Sequence, residues 1–173
     1  MIRLATTRDD FGAFAALVTE YVEWFRARYQ DVECMVDGVF AHQSLVTEIR
    51  TLSAAYSVPN GKTFLAMRDG EVCGGVAYRR LPDGSCEMKR LFVSRRFGGQ
   101  GTGRNLCNAL IASARDDGYE VMRLDTGNRL TEAISLYESL GFRRCPAHHE
   151  YPAEITPWLV FMQLSLVKPL SGV

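Results

Sequence analysis

Apolar residues recur along this chain in two rhythms, and the change from one to the other divides it. Phe11, Phe14, Leu17, Val18, Tyr21, Trp24 and Phe25 stand at spacings of three and four from one another, which predicts an amphipathic helix with an aromatic stripe. Ahead of it, residues 2–6 alternate weakly as a short strand would, and Thr7 with Asp10 has the form of a capping box. Phe40, Leu45, Ile49 and Leu52 predict a second helix over about 38–55. The rhythm then shortens. Thr63–Arg68, Glu71–Leu81 and Ser85–Ser94 read as strands, joined through Asp69-Gly70 and Pro82-Asp83-Gly84, which favour tight turns. An antiparallel meander is expected.

The glycine-rich stretch Phe97-Gly98-Gly99-Gln100-Gly101-Thr102-Gly103 comes next. It runs into a helix with Leu106, Leu110, Ile111 and Ala114 on one face, closed by Gly118. Tyr119–Asp125 reads as a strand. Leu130–Leu140 reads as a helix with Ala133, Leu136, Tyr137 and Leu140 in register, ended by Gly141. Arg143–Glu150 and Trp158–Val167 are the last two strand candidates. This order predicts one mixed α/β domain over residues 1–173, without repeat, linker or low-complexity tract.

Charge narrows the partners. The chain carries 20 basic and 20 acidic residues, so no field of one sign exists to draw nucleic acid or a membrane surface. No apolar run approaches the ~18 residues of a membrane span, and MIRLATTRDD lacks the apolar core of a signal peptide. A cytoplasmic protein is expected. Its five cysteines are odd in number and form no CxxC pair, which favours reduced thiols over a disulfide or metal scaffold.

The chemistry concentrates where Leu91-Phe92-Val93 passes through the glycines into a helix. Glycine permits close backbone approach, and the first amides of a helix have no internal partner, so the junction can cradle a phosphate. The dinucleotide fingerprint does not fit: counted from Gly99 its last glycine falls on Arg104, and from Gly101 on Leu106. The GxxxxGK[ST] loop is absent as well.

Gly98–Gly103 resembles the pyrophosphate loop of the GNAT acyltransferases, Q/R-x-x-G-x-G/A, with Gly101 and Gly103 in its last two fixed places. Glu87–Val93 is similar to the family's fourth strand. Asn128 followed by Ala133-Ile-Ser-Leu-Tyr137-Glu-Ser-Leu-Gly141-Phe142 resembles its second signature, and Phe161-Met-Gln-Leu its final strand. The likeness runs in order from about residue 63 to 167, with the loop and its helix at about 98–117 and the second signature at about 128–142. Gly98 stands where the family has Gln or Arg, and Arg95, Arg96 or Arg104 could supply the lost charge.

The resemblance implies a splayed mixed sheet flanked by helices, and acetyl-CoA as cosubstrate without a metal. Gly98, Gly99, Gln100, Gly101, Thr102, Gly103 and Arg104 would hold the pyrophosphate, and Leu91, Phe92, Val93 and Asn128 the pantetheine arm. A strand amide near Val93 would polarise the thioester carbonyl. Tyr137 occupies the place of the family's general acid, and a phenol can protonate a departing thiolate at neutral pH.

Glu87 is the candidate base, and alternation would put it on one face with Lys89, Leu91 and Val93. His148 or His149 is the substitute; as strand neighbours they would face opposite ways, and no third ligand stands at metal spacing. The acceptor is expected to be a primary amine on a small molecule or peptide, its pocket lined in part by the stripe Tyr21, Trp24, Phe25 and Tyr29. Attack would be direct, in a ternary complex, since no cysteine or serine stands in a nucleophile motif. A non-catalytic acyl-CoA-binding module is the alternative. The sequence leaves homodimer assembly open.

Overall fold

The computed structural model describes residues 1–42 and 44–167. Strand β1 (Ile2–Leu4) leads into α1 (Arg8–Arg28), whose start is fixed as the sequence predicts. The Thr7 hydroxyl accepts from the Asp10 amide at 3.2 Å, while the Asp10 carboxylate accepts from the Thr6 and Thr7 amides and from Arg3. These bonds outweigh desolvation and hold the Asp10 carboxyl well below the usual carboxylate range.

The second expected helix is three. After a 3₁₀ turn, α2 (Glu33–His42), α3 (Leu45–Arg50) and α4 (Leu52–Ala55) replace the single element over 38–55. Ser44 takes a left-handed φ of 51° and Thr51 breaks the run again. The step of five residues from Phe40 to Leu45 already departs from one helical face.

The meander forms as predicted: β2 (Gly61–Arg68), β3 (Glu71–Arg80) and β4 (Cys86–Val93) pair antiparallel. Asp69 and Gly70 both adopt positive φ in the first turn. Then come α5 (Thr102–Asp116), β5 (Val121–Gly127), α6 (Thr131–Ser139), β6 (Arg143–Arg144) and β7 (Leu159–Ser165). Among the described residues the seven strands order β1-β2-β3-β4-β5-β7-β6, and only β4–β5 is parallel. One apolar core joins the sheet to α5 and α6, through Leu106, Leu110, Met122 and Phe142. A second joins its other face to α1 and α2, through Phe14, Phe25, Val36 and Leu65. Among the described residues no helix is long and apolar enough to cross a membrane.

The expected strand Arg143–Glu150 stops after two residues. Pro146 and Pro152 cannot donate to a ladder, so the chain leaves the sheet and returns only at β7. That loop carries His148 and His149.

Candidate active site

The parallel pair β4–β5 touches only at its start, Cys86 opposite Met122 and Glu87 opposite Arg123, and then splays. Into the opening runs a cavity of about 690 Å³. One end is walled by Gly98, Gly99, Gly101 and Gly103, with Arg95 and Arg104 beside them. Its waist lies between Leu91–Val93 and Leu124–Gly127, with Ala133, Leu136 and Tyr137 alongside. The far end is lined by aromatic rings from α1, α2 and β4.

The glycine end has the geometry of an anion cradle. Gly101 is the N-cap of α5 at φ 74°, no side chain caps the helix, and a Cβ there would meet open space. The first amides of a fifteen-residue helix are thus left for a ligand. Of the three arginines, Arg95 and Arg104 line this end, whereas Arg96 stacks on Phe97 and faces Glu71 at 3.8 Å. Gln100 and Thr102 border a smaller depression, with Met1, Ile2 and Met67, so toward the cavity they offer backbone alone.

A bulge in β4 overturns the simple alternation. Ala77 pairs with Lys89 and Gly75 with Phe92, so Val76 alone opposes Arg90 and Leu91, and Arg90 takes a φ of 57°. Glu87 therefore shares its face with Lys89 and Phe92. Leu91 and Val93 pack with Met88 on the α5 side instead.

Glu87 does not line the cavity. Its side chain is 0% exposed, with Oε2 accepting from Arg79 Nε at 2.9 Å and Oε1 lying 2.5 Å from His149 Nε2. His148 Nε2 lies 3.4 Å and Lys89 Nζ 3.7 Å from the same Oε1. Burial opposes ionisation, but Lys89, both histidines and Arg79 outweigh it and hold the carboxyl well below its usual range. A carboxylate so stabilised is a weak base.

Two carboxylates reach the cavity: Glu132, which pairs with Arg28, and Asp125, which sequence reasoning used only as a strand end. Lys89 Nζ donates to its Oδ1 at 2.9 Å and the Tyr151 hydroxyl to its Oδ2 at 3.2 Å. Its signal was the alternation of Arg123 and Asp125 within Val121–Gly127.

His148 and His149 both turn to Glu87, with ring centroids 4.7 Å apart, because the loop frees them from strand alternation. With Glu87 and Asp125 they bring four ligand-type atoms within 4.8 Å of one another, a grouping invisible to local spacing. Lys89 and Arg79 already match the two carboxylates with positive charge.

Tyr137 stands where the sequence predicts, buried on α6 at the waist of the cavity. Among the described residues nothing bonds its hydroxyl, and burial pushes its pKa well above the phenol value, so it stays protonated at neutral pH. Asn128 is not brought to the cavity. Its amide donates to the Pro157 carbonyl at 3.1 Å and its Oδ1 accepts from Tyr29 at 3.3 Å. Cys86 and Cys107 are buried in the core, and burial pushes both thiols up to about 12, which removes them as nucleophiles.

The sequence matches the acetyltransferase (GNAT) family over residues 18–142. The chain belongs to that family, and it is an acyltransferase. It is 31% identical over 162 residues to an uncharacterised N-acetyltransferase of Schizosaccharomyces pombe, covering 92% of this chain and 91% of that one. It is 34% identical over 110 residues to N-acetylaspartate synthetase of Danio rerio, covering 62% of this chain and 39% of that longer protein. The fold matches an acetyltransferase from Streptococcus agalactiae with a TM-score of 0.70 at 18% identity, covering 95% and 97% of the two chains. It also matches PaiA N-acetyltransferase from Thermoplasma acidophilum in complex with coenzyme A, with a TM-score of 0.67 at 15% identity, covering 95% and 99%.

Proposed function

We propose that the protein transfers an acetyl group from acetyl-CoA directly to a primary amine of a small molecule or peptide, in a ternary complex. The observation that carries this reading is the continuity of one cavity from an uncapped helix start, past a buried phenol with no bond among the described residues, to an end lined by aromatic rings. The residues present suit the cosubstrate. Backbone amides of residues 98–104, with Arg95 and Arg104, meet the pyrophosphate, and the free edges of β4 and β5 meet the pantetheine amides. Acetyl-CoA supplies the activated acyl group.

The amine attacks the thioester carbonyl, whose oxygen is met by a backbone amide near Val93. The carbon–sulfur bond breaks, and Tyr137 gives its proton to the leaving sulfur. The ammonium must first lose a proton. Asp125, in the cavity lining and bonded to Lys89, takes that proton, and Glu87 holds Lys89 in place from behind.

Release of free thiol from acetyl-CoA in the presence of an amine panel tests the reading. Amine-dependent release is expected. Binding of coenzyme A without any amine-dependent release would leave the acyl-CoA-binding alternative.

A further inference from the structure

Beyond Val93 the chain leaves the sheet and has to deliver the glycine loop to the start of α5. It does so through Ser94 and a single 3₁₀ turn, Arg95–Phe97. The Ser94 amide donates to the Cys73 carbonyl at 2.9 Å and the Phe97 amide to that of Ser94 at 2.8 Å, while the Phe97 ring packs on the α5-side core. The Gly98 amide, 3.5 Å from the Arg95 carbonyl, is held weakly. Among the described residues no hydrogen bond ties the amides of Gly99, Gln100 or Gly101. Glycine has more backbone freedom to lose than any other residue, so a stretch this rich in it presents its amides only if its ends are fixed.

Helix α5 fixes the far end of the loop, and Glu20 fixes the near end from another element. The first amides of a helical turn have no partner inside it, and the Ser94 side chain does not turn back to cap them. Glu20 reaches across from α1 instead, and its Oε1 accepts from the Ser94 hydroxyl at 3.0 Å and from the Arg95 amide at 3.3 Å. It bonds the Arg95 main chain and leaves the Arg95 side chain to the cavity wall. The charge of Glu20 opposes an anion in the cradle while its hydrogen bonds order the loop that receives one, so the two effects differ in sign. Resting on the cosubstrate reading above, we propose that Glu20 is a positioning residue for coenzyme A. Its two hydrogen bonds hold the 3₁₀ turn so that the glycine loop meets the pyrophosphate. They also tie that loop to the helix whose Tyr21 and Trp24 wall the other end of the cavity.

Two variants separate the hydrogen bonds from the charge. Glu20→Ala removes both, whereas Glu20→Gln keeps an acceptor oxygen and removes the charge alone. Calorimetry with coenzyme A is expected to show Glu20→Ala binding about 10-fold more weakly than wild type, and Glu20→Gln binding as tightly or tighter. Hydrogen exchange on the unliganded proteins should be faster in Glu20→Ala over residues 95–98 only, and unchanged in Glu20→Gln. Undiminished coenzyme A affinity in Glu20→Ala overturns the proposal, as does an equal loss in Glu20→Gln. Exchange that is unaltered in the turn, or raised throughout α1 and β4, overturns it as well, since Glu20 would then serve general stability or nothing. Failure of the wild-type protein to bind coenzyme A would count against the cosubstrate reading instead, and the exchange comparison would still decide whether Glu20 orders the turn.

Discussion

Glu87 Oε1 and His149 Nε2 lie 2.5 Å apart, although 62 positions separate the two residues in sequence. The contact closes a buried charge cluster. Glu87→Gln removes the carboxylate that Arg79 and His149 bond and leaves the buried Lys89 with Asp125 alone. A destabilisation of about 3 kcal/mol is expected, or about 6–12 °C in Tm. The carboxyl is depressed in the folded state, so its contribution is complete above the unfolded glutamate value and fades as pH falls through the folded one. Urea titrations from pH 3 to 7 should show the gap between the two proteins narrowing below about pH 4.

His149 is the accessible end of that cluster, its side chain a quarter exposed. His149→Gln keeps a hydrogen-bonding group and should change stability by less than about 1 kcal/mol. If the histidine serves proton removal, the acidic limb of the pH–rate profile should move. An unmoved limb would confine Glu87 and His149 to structure.

Tyr137→Phe keeps the ring packed on Phe142 and deletes a hydroxyl with no bond among the described residues. Stability should hold within about 1 kcal/mol. Turnover should fall by about 10²–10⁴-fold with a weakly nucleophilic amine, while coenzyme A binding changes little. Full activity in stopped-flow thiol release would remove Tyr137 as the acid.

Gly101 needs its left-handed φ of 74°, which a β-branched residue adopts poorly. Gly101→Val should abolish the thermal shift given by coenzyme A, because the loop can no longer present its amides at the helix start. The unliganded Tm should drop by only a few degrees, since a Cβ there meets nothing within 4 Å.

Much of this was legible in the sequence because it is local. The capping box at Thr7 and Asp10, the Asp69-Gly70 turn, the glycine junction and the helix bearing Tyr137 each follow from a few adjacent residues. What escaped depends on distant partners. Nothing in Glu87–Val93 marks the bulge at Arg90, a non-glycine residue held at positive φ while its guanidinium is forked onto Glu48. That single inserted residue turns Phe92 toward Tyr21 and Trp24 and sends Leu91 and Val93 the other way. His148 and His149 were misplaced for a related reason. A strand was expected where prolines release the chain, and only the fold brings its loop over Glu87.

The divergence of β4 and β5 has a consequence for how the molecule holds together. Past Glu87 and Arg123 the two strands no longer satisfy each other's peptide groups, so the middle of the sheet is a seam sealed by hydrogen bonds on one side only. A bound pantetheine arm is chemically a short stretch of amides, and it would take the place of the missing rungs. Cohesion between the meander half and the β5–β7 half then belongs jointly to the polypeptide and its substrate. Release of coenzyme A would then unfasten the sheet at its centre, and each new cosubstrate molecule would fasten it again.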